Sequence, residues 1–151
     1  MTKKIIYTLG VLVVIWIAVY FAFPKKEKVI EETSTPVITY VNASDNLIKV
    51  DLPFPGAVTG KEFKVIGQAR GYWFFEASFP VEVLDKDGKI LAKGIAKAEN
   101  DWMTEEFVPF SADIKVPESY IGPAVLILRK DNPSDIREKD AHISFPFTIE
   151  Y

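Results

Sequence analysis

The chain carries one histidine and no cysteine, and those two counts narrow the side-chain chemistry at once. A thiolate nucleophile and a cysteine-ligated zinc are ruled out. A serine–histidine–acid arrangement would have to use His142 with Asp140 or another carboxylate. His142 stands one residue ahead of an alternating apolar run, and an exposed imidazole at a strand start explains it without catalysis. Carboxylates occur in pairs, Glu105 with Glu106 and Asp85 with Asp87, but acids are plentiful and neither pair implies a cleft. Asp85-Lys86-Asp87-Gly88 looks superficially like the start of a calcium loop. The EF-hand pattern needs glycine sixth and a carboxylate twelfth; here glycine is fourth and the twelfth residue is Ala96. A tight hairpin accounts for these residues. Asp131, Asn132 and Asp135 could supply oxygens to a cation, with ordinary turn chemistry as the rival reading. The sequence therefore assigns no catalytic residue, no metal and no cofactor.

Aromatic residues are the remaining candidates. Trp73 and Trp102 each follow a turn, close to Arg70 and Asp101 respectively, and Tyr72 precedes the first indole. Exposed indoles would stack on sugar rings or anchor a protein partner. Packed indoles would close the ends of a hydrophobic core, the usual fate of a tryptophan at a strand start. Arg70, Tyr72, Trp73 and Trp102 together form the candidate ligand or partner surface. The candidate partners are a protein or a glycan.

The elements that must position these residues read as strands. Aromatic and β-branched residues suit a half-buried pleated surface, and residues two apart share a face. From about Trp73 to Leu84 the alternation predicts one long strand. Trp73, Phe75, Ala77, Phe79, Val81 and Val83 would line the core side, with Phe74, Glu76, Ser78, Pro80, Glu82 and Leu84 opposite. Asp87-Gly88 supplies a hairpin turn. Ile90 to Ala98 returns with Ala92, Gly94, Ala96 and Ala98 on one face, small residues that interdigitate with a facing aromatic row. Ile48–Leu52, Phe63–Ala69, Thr104–Val116 and Ile143–Tyr151 are further period-two segments. Ala124–Arg129 is apolar until its last residue and predicts a central strand buried on both sides.

Seven strands with regular turn signals predict an all-β fold, an immunoglobulin-like seven-stranded β-sandwich. Pro80, Pro109 and Pro146 fall inside strand patterns, and each must sit at an edge or a bulge because proline cannot donate to a ladder. A two-sheet sandwich has edges to accommodate them; a closed barrel has none.

Ahead of this domain, Ile5 to Phe23 holds 19 residues without a charge. At helical rise the run spans about 28 Å, close to the hydrocarbon thickness of a bilayer. It lacks the small-x-small pattern of a cleavage site, so residues 1–23 read as an uncleaved transmembrane anchor, preceding the sandwich. Residues 24–46 read as a flexible linker that lets the domain, residues 47–151, float near the membrane. Two lysines precede the run and three follow it (Lys25, Lys26, Lys28), so charge alone leaves the orientation open. With Lys3 and Lys4 set aside, 16 basic residues face 21 acidic ones. That balance argues against a nucleic-acid partner and against electrostatic adhesion to anionic lipid.

Three ordered blocks carry a likeness: GQARGYWFFEASFPVEVLDKDGKIL, NDWMTEEFVPFSADI and LRKDNPSDIREKDAHISFPFTI. Together, at their spacing, they resemble the immunoglobulin-like domain family associated with bacterial spore germination proteins (the Gmad type), over about residues 47–151. Asn100 and Asp135 depart from positions where the family often has glycine. The resemblance implies a non-catalytic, extracytoplasmic domain of a bacterial envelope protein. It therefore directs the C-terminal domain outward from the cytoplasmic membrane and implies an envelope protein or a cell-wall glycan as the partner, and it carries over no functional residue.

Overall fold

The computed structural model describes residues 36–134 and 136–151. The apolar run at 5–23 and the linker through residue 35 lie outside the described residues, as does Asp135. Among the described residues no helix is long and apolar enough to cross a membrane.

The chain runs through β1 (Thr39–Val41), β2 (Ile48–Leu52), β3 (Val58–Thr59) and β4 (Glu62–Arg70), then a single 3-10 turn at Gly71–Trp73. It continues through β5 (Ser78–Asp85), β6 (Ile90–Ala98), β7 (Phe107–Lys115) and β8 (Gly122–Arg129) to β9 (His142–Ile149), with a second 3-10 turn at Arg137–Lys139. Hydrogen bonding links them in the order β1-β9-β8-β5-β6-β7-β4-β2, with β3 added parallel to β9. The link between β6 and β7 is only two residue pairs, Lys97↔Ser111 and Ala98↔Phe110. There the antiparallel path curls and lays β7, β4 and β2 over the other strands. Contacts across the two layers establish the sandwich. The Phe79 ring on β5 meets Phe110 on β7 edge-on at 4.9 Å, and Phe63 on β4 meets Phe147 on β9 at 5.5 Å.

The inward faces follow period two. Phe79, Val81 and Val83 of β5, Val65 and Ala69 of β4, and Ile143, Phe145, Phe147 and Ile149 of β9 are all buried. The small face of β6 points inward as the sequence predicts: a Cβ on Gly94 would collide with Ile114 on β7. β8 lies between β5 and β9 with Ala124, Leu126, Ile127 and Leu128 buried, which is the central position its apolar run predicts.

The prolines fall where ladders stop. Pro80 is one residue beyond the last β5–β8 partner pair, Val81↔Leu128. Pro146 occupies the gap on β9 between the segment paired with β1, ending at Ser144, and the segment paired with β3, starting at Thr148.

Two sequence expectations are corrected. Among the described residues the sandwich has nine strands, not seven. The additions β1 and β3 are two or three residues long, and both borrow their pairing from β9, so neither has an alternation to read. β1 also lies within the residues read as linker. The long strand from Trp73 to Leu84 does not exist as such. Phe75 and Ser78 exchange both backbone hydrogen bonds at 3.0 Å, and between them Glu76 and Ala77 take φ values of 47° and 59°. Positive φ at both central residues is the pattern of a type I′ turn. It reverses the chain and breaks the predicted phase, so Phe75 is exposed and Phe74 is buried, the opposite of the alternation.

Candidate functional site

Strand register divides the loops between the two ends of the sandwich. The ends of β4 and β8 (Arg70, Arg129) and the starts of β7 and β9 (Phe107, His142) define one end. The β5–β6 hairpin, the β7–β8 loop and the C-terminus define the other. The chain joins the domain beside β9, on the half nearer that second end, where Pro36 lies against Gly56, whose N–H donates to the Pro146 carbonyl at 2.8 Å. Arg70, Tyr72, Trp73 and Trp102 all belong to the first, distal end. The nine residues of β4 separate the two ends by about 30 Å.

Four loops meet at the distal end, and three of them, those after β4, β6 and β8, are packed on one another through backbone. Gly71 lies so close to the Glu99–Glu106 loop that a Cβ there would strike the Trp102 and Thr104 carbonyl oxygens. The Gly71 N–H donates to the Glu106 carbonyl at 3.2 Å, and the Asp131 N–H donates to the Trp73 carbonyl at 3.2 Å. The Glu99–Glu106 loop is also braced from within: Asp101 Oδ1 accepts from the Met103 N–H and Thr104 Oγ1 from the Glu106 N–H.

Within this frame the four predicted residues have different fates. Arg70 is a scaffold residue. Its Nε donates to the Asn46 carbonyl at 3.1 Å, its Nη1 donates to the Glu105 carbonyl at 3.2 Å, and the same nitrogen lies 3.6 Å from a Glu106 carboxylate oxygen. Tyr72 is exposed, with the Lys130 ammonium 5.8 Å from its ring centre. Trp102 is half-buried against the core. Trp73 is fully buried, edge-on to Phe79 at 6.4 Å, so its indole offers no face to a ligand. The reading of Trp73 as an exposed contact is corrected to core packing. The cause is the 3-10 turn at Gly71–Trp73, which swings the ring inward while leaving Tyr72 outside. Among the described residues the Trp73 Nε1 donor has no hydrogen-bond partner.

Sequence reasoning missed exposed apolar side chains at this end, among them Phe75 and Met103, the latter 78 % exposed. The Met103 position was readable from Asp101 two residues earlier, an aspartate placed to cap a turn. Phe75 was not, because its exposure depends on the Glu76–Ala77 turn.

Titratable side chains elsewhere are held by neighbours. Burial alone would raise the Glu82 carboxyl, but hydrogen bonds from Arg129 and Lys93, and their charges, hold it below the ordinary carboxylate value. His142 is pushed down, first by burial and then by the Arg129 charge. In the Asp131–Asp140 loop the Asn132 amide donates to the Ile136 carbonyl and to Asp140 Oδ1, and Asn132 Oδ1 accepts from Ser134. Among the described residues no three metal-ligating side chains converge.

A family model, described as the immunoglobulin-like domain of bacterial spore germination, matches residues 47–136. That span includes the Gly71–Ala77 and Glu99–Glu106 loops and stops short of β9. No curated protein and no solved structure matches the chain.

Proposed function

Because the chain belongs to the family of immunoglobulin-like domains of bacterial spore germination, we propose that it is a non-catalytic binding module of the bacterial cell envelope. In this reading residues 5–23 anchor it in the cytoplasmic membrane, the domain lies outside, and an envelope protein docks on the distal loops. One observation carries the proposal. Three loops are braced backbone-to-backbone at a single end, and they present Tyr72, Phe75 and Met103 from that rigid base. Loops held by a scaffold are where binding residues concentrate, and a preorganised surface loses less entropy when a partner docks. Aromatic and methionine side chains are the types enriched at such contacts.

A glycan is the second reading. It rests on Trp102 and Tyr72 now that Trp73 is packed inside, and an indole half-buried against the core offers a sugar only part of its face.

The test uses the full chain in its native membrane. Carbonate-resistant retention supports the anchor. Chemical crosslinking to a discrete envelope protein, lost in the Tyr72→Ala, Met103→Ala double variant, supports the docking surface. Crosslinks unchanged in that variant would move the partner elsewhere. Both side chains are exposed, so the variant leaves the fold intact.

A further inference from the structure

The proximal end carries a surface that the distal-loop reading does not use. A groove lined by Pro36, Val37, Gly56, Pro123, Pro146 and Thr148 opens where the chain joins the domain. Val58 and Pro123 flank Thr148 on either side of β9, so the groove continues into the β3 strand. Around it large apolar side chains stand in solvent: Val37 69 %, Phe54 58 %, Ile121 69 % and Tyr151 80 % exposed. The base is rigid. The buried Lys61 donates from its ammonium to the Tyr120 and Glu150 carbonyls, and its N–H donates to the Tyr151 carbonyl.

We infer that this apolar proximal end rests against the lipid surface, with Ile121 and Tyr151 in the interfacial layer and Phe54 on the flank above them. The inference builds on the anchor reading. Only the 12 residues 24–35 separate the apolar run from Pro36. Even fully extended, 12 residues reach only about 40 Å, so the proximal end cannot wander far from the bilayer. A tether of that length raises the local concentration of the surface at the membrane, and an apolar contact too slight to bind free protein becomes populated. Tyrosine and phenylalanine at the rim are the side chains that settle at a membrane–water boundary. The contact is apolar and not electrostatic, because Asp85, Asp87, Glu118 and Glu150 are nearly offset at this end by Lys61, Lys86 and Lys89, and Glu62 and Lys115 pair with each other. Salt and anionic lipid therefore leave it unchanged. Held this way, the domain stands on its proximal end and carries the distal loops about 30 Å outward.

The absence of cysteine makes the experiment clean. Full chain carrying Ile121→Cys or Met103→Cys is labelled with an environment-sensitive fluorophore and reconstituted into zwitterionic vesicles containing nitroxide-labelled lipid. The inference expects severalfold stronger quenching at position 121 than at 103, insensitive to salt, and reduced to the 103 level by added Phe54→Glu and Val58→Glu. Retention of the chain in carbonate with equal quenching at both positions overturns the inference and leaves the anchor standing. Shielding of the 121 probe that persists in detergent, with a crosslinked dimer, also overturns it, since a second copy would then cover the face. Release of the chain by carbonate overturns both readings together.

Discussion

The guanidinium carbon of Arg70 lies 4.1 Å from the centre of the Phe107 ring, directly across the β4–β7 pair. From that seat its nitrogens reach the carbonyls of Asn46 and Glu105. One side chain thus fastens the loop before β2 and the loop before β7 to the end of β4. The stack, and not a ligand, is what occupies Arg70. Replacing it with alanine should cost about 1–2 kcal/mol, the sum of a partly exposed cation–π contact and charge-assisted hydrogen bonds. Arg70→Lys should recover little of this, because an ammonium cannot stack flat or serve two carbonyls in fixed directions. Denaturant unfolding of the full chain in detergent reads both values, and a lysine variant as stable as the parent would refute the role.

The turn at Glu76-Ala77 stores backbone strain. Left-handed backbone costs a side-chain-bearing residue roughly 1–2 kcal/mol, and Asn-Gly is the pair that adopts it at least cost. The double substitution Glu76→Asn, Ala77→Gly should raise stability by about 1–2 kcal/mol. An unfolding midpoint that stays put or falls would mean the turn is not as described.

Two glycines separate crowding from backbone conformation. Gly71 has no room for a Cβ beside the Trp102 and Thr104 carbonyls, so Gly71→Ala should cost about 3 kcal/mol and pry two loops apart. Gly88 sits at φ +79° with nothing within 4 Å, so Gly88→Ala should cost only about 1 kcal/mol. The ratio of the two losses, measured by thermal unfolding, checks the loop packing.

His142 makes stability depend on pH. Burial and the Arg129 charge hold its folded pKa below the ordinary 6.5, so the unfolded chain binds more protons in the window between the two values. Stability should therefore rise with pH through that window, up to about 6.5, and level off above it. Glu82 adds a separate limb. Its depressed folded pKa stabilises the fold above the ordinary carboxylate range, and that contribution disappears as pH falls through the folded value. Unfolding measured from about pH 2 to pH 8 should lose its His142 step in His142→Gln and keep the acid limb below the ordinary carboxylate value; an unchanged profile would contradict the assignment.

Much of the scaffold was readable because packing imposes a strict period on long strands. The apolar run Ala124–Leu128 identified the central strand β8, and the Ala92–Gly94–Ala96 face of β6 identified the surface that meets β7. The turn at Asp87-Gly88 announced itself, with Gly88 at positive φ. The distal end was less legible. Glu76-Ala77 carries no turn chemistry, so alternation ran straight through it and assigned Phe74 and Phe75 to the wrong faces. Alternation put Trp73 on the core side, where the structure has it, but through a 3-10 turn and not a strand. β1 and β3 are paired by β9 and not by any property of their own residues. Long-range pairing of short segments leaves no local signal.

Site-specific photocrosslinking in the native membrane tests the docking surface most directly. A photoreactive side chain is placed at Tyr72 or Met103 on the distal loops, and at Ile95 on the outer face of β6, which is also exposed. The account predicts a discrete adduct with one envelope protein from positions 72 and 103 and none from 95. Adducts from Ile95 alone, or none above background at the loop positions, would contradict it.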